Sequence, residues 1–521
     1  MFRKACGTLA ILLLLCCQAG AVFGQAGSIK PGQSFSVRIP GQPDVPILVK
    51  IVPTNGAPQA SYIFSATDRL PGTSHSVDYG RFYRNVQAFN KDDQSLAVHR
   101  IGTNQWQIYD GGNFAYLTYE VALHEIEGVL KNPLFSGTLR AGYTFTPCLA
   151  VLGWLHGHEN GIQRMHIERP TDWQLATNLQ AVSHDEFLES NFSQMSSGFL
   201  ATGEVIRISQ AIAFHVPHFS TLFRDAGFEG TGSTVDFHRL TQTAAVLFEH
   251  APFEKYYTFL QYVKIPYRNR TKASYQASVF DNGQHMVILS EKMSTDAVQE
   301  ALLTHYLQAW LSDKRYFKSR VKDFYMQRSD YSEWLMAGLS QYYAARLLAQ
   351  TGATSQKRLL SKIAEWANAE RKNQAEFTAG ATTAGYSNGY VHQQRDLASR
   401  GALIGFLLDV QILYQSRGFK RLDHGLQNLE KTFLKTGKKM HISKLPNLID
   451  DATSISVQQF FQTYIDQPTP LPLEKAFESL GLRPSFQIDA TVAELEILPD
   501  AKIQAQARQL REWWLKKIDI H

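Results

Sequence analysis

Cysteine is scarce in this sequence: four occur in 521 residues, and three of them, Cys6, Cys16 and Cys17, crowd the extreme N-terminus. Cys148 is alone in the remainder, which excludes an intramolecular disulfide framework. A second long apolar run is also missing, since nothing past Gly24 has the length needed to cross a bilayer as a helix. Charge of one sign is lacking too. The formal net charge is +5, Arg3 and Lys4 supply two of those charges, and no basic patch is interleaved with aromatic residues, so nucleic acid is not indicated as a partner. No internal repeat is present. Stability must come from packed cores, which 44% apolar and 12% aromatic residues can supply, and the length predicts two or three domains.

What the N-terminus does contain is a tripartite export pattern. Arg3 and Lys4 precede an apolar stretch, Leu9 to Cys17, that is too short to span a membrane, and small residues follow. Cleavage after Ala21 or after Gly24 fits equally well, so residues 1–24 are expected to form a signal peptide. The Cys16-Cys17 pair leaves lipidation as an alternative. Export to the periplasm, the cell surface or the extracellular space is the resulting expectation.

From residue 25 to 237 the chain is punctuated by Gly, Pro and Asn. Between them lie short alternating segments such as Ser34–Ile39 and Phe114–Tyr119, which predict a β-sandwich-like domain. Beyond Arg239 the apolar spacing lengthens to three and four residues, the period of buried helices. Helices are predicted over Ala297–Leu311, Glu333–Ala349 and Asp396–Tyr414, the first opened by Ser294, Thr295 and Asp296, which suit a helix N-terminus. The fold class is therefore α+β. The mainly helical domain is expected over residues 238–485 and a helical tail over residues 486–521, with Ala501–Ile518 as a docking helix bearing Trp513 and Trp514.

Three segments carry a resemblance: ALLTHYLQAW (Ala301–Trp310), WLMAGLSQYY (Trp334–Tyr343) and GALIGFLLDVQI (Gly401–Ile412). They resemble the glycyl aminopeptidase family of PDZ-linked gluzincin zinc peptidases, metallopeptidase family sixty-one. The stretch from Leu70-Pro71-Gly72 to Trp106 is similar to that family's N-terminal β-domain, and Phe460–Leu482 to its closing helix pair, so the likeness runs from about residue 35 to 485. It implies a thermolysin-like helical domain. Fewer than the residues of a PDZ domain remain after Leu482.

A working member of that family needs H-E-x-x-H on a helix, where two imidazoles four residues apart share a zinc ion and the Glu activates its water. Aligned on Trp310, Thr304 stands where the first His is implied, His305 where the catalytic Glu is, and Gln308 where the second His is. Ala337 replaces the third ligand, a Glu. The implied substrate-binding acid of an edge strand falls near Lys272–Ser278, which has none, and the implied tyrosine pair becomes Leu397 and Ala398, ahead of Arg400-Gly401. A phenol able to stabilise an oxyanion is thus absent there. No zinc or other cofactor is expected, and Tyr275, Gln276, Trp310, Trp334 and Arg400 are the candidate lining residues of the former cleft.

Other histidines are weaker metal candidates. His156-Gly157-His158 and His215-Val216-Pro217-His218 have Gly or Pro between them, which suits turns and strands, and His124-Glu125 leads to Gly128 where a ligand would be needed. Cys148 is expected to be buried rather than nucleophilic. Asn191-Phe192-Ser193 and Asn269-Arg270-Thr271 match glycosylation sequons. The functional expectation is a non-catalytic peptidase homologue that binds a peptide or an envelope protein partner. The alternatives are a diverged hydrolase with a site relocated to His305 and Glu333 or to His392, and a purely structural module of an envelope assembly.

Overall fold

The architecture comes from a computed structural model, which describes residues 30–68, 77–228, 235–264, 274–280, 282–311, 313–317, 331–377, 394–467, 469–486, 492–499 and 502–518. The expected signal segment, the Asn269 sequon, His392 and residues 378–389 lie outside them, as does the side chain of Glu333.

Short, alternating segments of the N-terminal half form facing sheets. The larger has seven strands in the order Glu186–Glu189, Gln163–Glu168, Gly32–Arg38, Ile47–Thr54, Tyr116–Val121, Tyr83–Phe89 and Ser95–Leu96. A four-stranded sheet containing Tyr62–Ala66 and Gln105–Ile108 packs on it. Between them Phe64, Trp106, Tyr83 and Tyr119 stack on one another with ring centres 4.6 to 6.3 Å apart, the kind of large apolar contact that dominates a core without disulfides. Cys148 is fully buried here, and burial pushes its thiol far above the ordinary range, so it has no nucleophilic character at neutral pH.

A five-stranded sheet follows: β1 (Arg207–Ala213), β2 (Val216–Arg224), β3 (Tyr256–Tyr262), β4 (Tyr275–Phe280) and β5 (Gly283–Ile288), in the order β1-β2-β3-β5-β4. β2, β3 and β5 run parallel, and β4 lies antiparallel on the outer edge of β5. The boundary expected at residue 237 therefore falls too late. β1 and β2 have strand periodicity like everything before them, and periodicity cannot say which sheet a strand joins; their hydrogen bonds assign them to the second unit. Phe145 and Phe199 of the first unit pack against Phe223 and Phe259 of the second. Asp225 adds a polar tie, bonding Tyr143 and lying 3.5 Å from Arg140.

Two helices pack on this sheet, α1 (Phe237–Ala245) and α2 (Thr295–Leu307), and a helical layer builds on from α2: α3 (Asp313–Tyr316), α4 (Tyr331–Gln350), α5 (Gln356–Phe377), α6 (Gln394–Gln415), α7 (Leu422–Thr436), α8 (Leu445–Thr453), α9 (Gln458–Tyr464) and α10 (Leu473–Ser479). The α4–α6 pair is the closest packed. A Cβ on Gly338 would come within 2.4 Å of the Gly401 backbone, so two glycines allow the backbones to touch where these helices cross. A buried ionic cluster ties the same pair to α7: Arg346 lies 2.9 Å from Asp409 and 2.8 Å from Asp423, and Arg421 lies 3.0 Å from Asp409. These cations hold the Asp409 carboxyl well below the usual carboxylate range.

The segment expected as a helical tail with a docking helix packs on this unit, and it begins with a hairpin rather than a helix. Strands β6 (Leu482–Phe486) and β7 (Val492–Ile497) form a hairpin against α5, and α11 (Ala505–Trp514) packs on α6 and α10. Trp514 is fully buried, with its indole N–H donating to Tyr342 Oη at 3.0 Å. Trp514, one of the two tryptophans named for the docking helix, thus joins the helical core, with Trp513 partly buried against it. Among the described residues no helix is long and apolar enough to cross a membrane.

Candidate functional site

α2 begins where the Ser294 hydroxyl accepts from the Ala297 N–H at 3.3 Å and Asp296 sits in the first turn, so its N-terminal amides and dipole are both served. Val298, Ala301, Leu302, Leu303, Tyr306 and Leu307 are buried along it. It stops at Leu307, short of the expected Leu311. The Ala309 N–H bonds Tyr306 O and the Trp310 N–H bonds Leu307 O, both at 3.1 Å, the three-residue closure by which a helix tightens at its end. Gln308 is therefore the C-terminal cap rather than an interior residue.

Around that end the structure gathers several of the positions singled out above. The Thr304 hydroxyl donates to Glu300 O at 2.7 Å, and the His305 Nδ1 lies 2.7 Å from Ala301 O. A carbonyl only accepts, so Nδ1 carries the proton and Nε2 keeps the lone pair. Burial lowers the His305 pKa to about 4, which leaves the ring neutral at physiological pH. Its ring meets Tyr275 edge-on, centres 6.1 Å apart, so α2 and the edge strand β4 touch at these two residues. Gln276 follows on β4, where its Oε1 is buried without a hydrogen-bond partner among the described residues. Ala337 lies on α4, which packs directly against α2.

Other candidates sit elsewhere. Trp310 is a core residue, stacked on Phe248 with centres 5.1 Å apart and donating from its indole to His250 O at 2.7 Å. Arg400 is buried rather than cleft-lining: it pairs with Glu370 and donates to Tyr464 O and Thr469 O at 2.8 and 3.0 Å. These partners are distant in sequence, so the residue reads as a free cation until the helices are assembled. Ala398 is buried on α6. Trp334 falls on α4 and Leu397 on α6, but their side chains lie outside the described residues.

His218 went unrecognised as part of this neighbourhood. Its Nδ1 lies 2.9 Å from Val216 O and its Nε2 lies 2.6 Å from Tyr306 Oη, so the imidazole donates to the carbonyl and accepts from the phenol. Burial lowers its pKa. The Tyr256 hydroxyl, in the same aromatic cluster, is buried without a hydrogen-bond partner among the described residues. The remaining histidines are dispersed: His156 bonds Ser65 at 2.7 Å, the buried His158 bonds Gly32 O at 2.7 Å, and His124 is on the surface.

Zinc does not fit the donors at the four aligned positions. They offer one imidazole with a depressed basicity, one hydroxyl already committed to a carbonyl, one amide and one methyl group, whereas a zinc site needs three or four His, Cys or carboxylate donors. Among the described residues no group of three or more such side chains is placed to hold a metal ion.

A β domain followed by a sheet with a covered face, an antiparallel edge strand and a helix ending beside it is an aminopeptidase-like two-domain fold. Comparison with known structures agrees. An aminopeptidase N family protein from Idiomarina loihiensis superposes with a TM-score of 0.69 at 17% identity, over 91% of this chain and 82% of that one. An M1 zinc metallopeptidase from Deinococcus radiodurans has a TM-score of 0.46 at 13% identity, over 86% of this chain and 96% of that one. Residues 35–196 match the family model of the peptidase M61 N-terminal domain. No curated protein matches the sequence significantly.

Proposed function

We propose that this chain is an exported, non-catalytic member of its peptidase family that holds an extended peptide, or a segment of an envelope protein partner, in the former active-site cleft. The observation that carries the reading is the end of α2. Thr304, His305 and Gln308 stand where the resemblance implies a zinc helix, and the His305 Nδ1 is spent on Ala301 O with its ring against Tyr275. Beside it β4 is the edge of its sheet, and an edge strand recognises extended chains through backbone hydrogen bonds without chemistry. A neutral imidazole and free amides favour an uncharged backbone over an acidic or basic group.

The test is a metal assay by mass spectrometry on the mature protein, coupled to turnover of aminoacyl anilides and to calorimetric titration with extended peptides. The expected result is substoichiometric zinc, no chelator-sensitive turnover and peptide binding weakened by Tyr275→Ala. Stoichiometric zinc with chelator-sensitive activity would overturn it. Turnover abolished by His305→Ala without zinc would replace it with the relocated-hydrolase reading.

A further inference from the structure

Away from α2, a cavity of about 710 Å³ opens between the C-terminal half of α6 and the α9–α10 pair. That volume lies within the range of small-ligand sites, roughly 300–1,000 Å³. Gln411, Gln415 and Gln459 present side-chain amides, Thr463 a hydroxyl, and Tyr414 and Tyr464 phenols. None of these six side chains makes a hydrogen bond to another described residue, so a set of donors and acceptors lines the cavity with no partner among the described residues. Lys475 is the one charged side chain on the wall.

The walls are preformed. Arg400 clamps the α9–α10 connection through Tyr464 O and Thr469 O while its charge is answered by Glu370, and Tyr464 packs on Phe460 with ring centres 4.9 Å apart. Tyr414 is 48% exposed at the rim, an aromatic face open to a flat apolar surface.

We propose that this cavity is a binding site for a neutral oligosaccharide of two or three sugar units, separate from the former peptidase cleft. Sugars carry dense hydroxyl pairs that match side-chain amides and hydroxyls, and apolar ring faces that match exposed phenols. An extended peptide suits the cavity less well. It is recognised chiefly through backbone N–H and C=O groups, and helix walls have already spent theirs on one another. An anionic ligand would meet a single lysine, and a cationic one no carboxylate among the lining residues.

Saturation-transfer NMR and calorimetry on the mature full chain, with maltotriose, cellotriose and N-acetylchitotriose as probes, test the proposal. At least one should bind, with a dissociation constant raised about tenfold or more by Tyr414→Ala and by Gln411→Ala combined with Gln459→Ala, loss of a hydrogen bond or stacking contact being worth about 1–1.5 kcal/mol. Tyr275→Ala should leave sugar binding unchanged, which separates this site from the peptide cleft. Melting curves establish that each variant is folded. Failure of all three sugars at millimolar concentration overturns the proposal, as does binding indifferent to the Tyr414 and Gln411/Gln459 variants, or capture at this cavity of an extended peptide instead of sugar.

Discussion

His285 is the most enclosed imidazole near the sheet: its ring centre lies 4.1 Å from that of Phe145, and its Nε2 lies 3.3 Å from Gln261 Oε1. Burial lowers its pKa to about 3 from an ordinary 6.5. Below pH 6.5 the unfolded chain takes up a proton that the folded form refuses, so stability is fully present above that pH and falls as pH drops toward 3, at about 1.4 kcal/mol per unit. Urea titrations at pH 7 and pH 5 should show wild type losing about 2 kcal/mol more than His285→Leu; equal losses would mean the imidazole is not buried neutral. His305 contributes with the same sign through its own value of about 4. The zinc-site register implied by the resemblance is tested at this scale too. Thr304→His, His305→Glu, Gln308→His and Ala337→Glu together should bind one zinc per chain by mass spectrometry, because α2 and α4 are packed against each other. Those four positions were assigned by the resemblance, counted from Trp310 and Trp334; helix spacing alone singles out none of them. It could not show that Trp310 points into the core or that Arg400 is answered by Glu370, because both facts depend on helices meeting from far along the chain.

Among elements, the contact between α4 and α6 shows what was readable and what was not. Both helices announced themselves by dense apolar residues, and the observed spans Tyr331–Gln350 and Gln394–Gln415 exceed the expected ones by about a turn or less. That Gly338 and Gly401 face each other was invisible, because a glycine inside a helical pattern reads locally as a weakness. Here it is a close approach: a methyl group at Gly338 would stand 2.4 Å from the opposing backbone. Gly338→Ala, favourable for helix propensity, should therefore destabilise by about 1–3 kcal/mol through overpacking, read as a lower urea midpoint with an unchanged slope. Ser294→Ala, which removes the α2 cap without touching the core, should cost about 1 kcal/mol. The five-stranded sheet gives the opposite lesson. Its strands were recognisable as strands, yet β1 and β2 were assigned to the wrong unit because sheet membership is set by pairing, which sequence alternation does not encode.

For the whole molecule, the decisive element is the last one. α11 packs on α6 and α10, the Gln350 amide donates to Trp514 O at 3.0 Å, and the Ile518 N–H donates to Gln350 O at 3.0 Å. The Trp514 indole ends on Tyr342 Oη, which donates to Asp409 Oδ2 at 2.7 Å, the same carboxylate that answers Arg346 and Arg421. The C-terminus is thus wired into the buried ionic cluster between α4, α6 and α7. Trp514→Ala empties a fully buried site and leaves the Tyr342 phenol short of a donor, a cost of about 3–5 kcal/mol for the cavity against a typical total of about 5–15 kcal/mol. Deleting the chain after Leu498 removes the whole contact and exposes Arg346, Asp409 and Arg421 to water, so the helical unit should lose its cooperative transition by calorimetry while near-neutral surface changes such as Lys357→Ala leave it intact. If α11 were an accessory tail, both the deletion and Trp514→Ala would leave the melting temperature within a degree or so of wild type, since surface substitutions remain within about 0.5 kcal/mol.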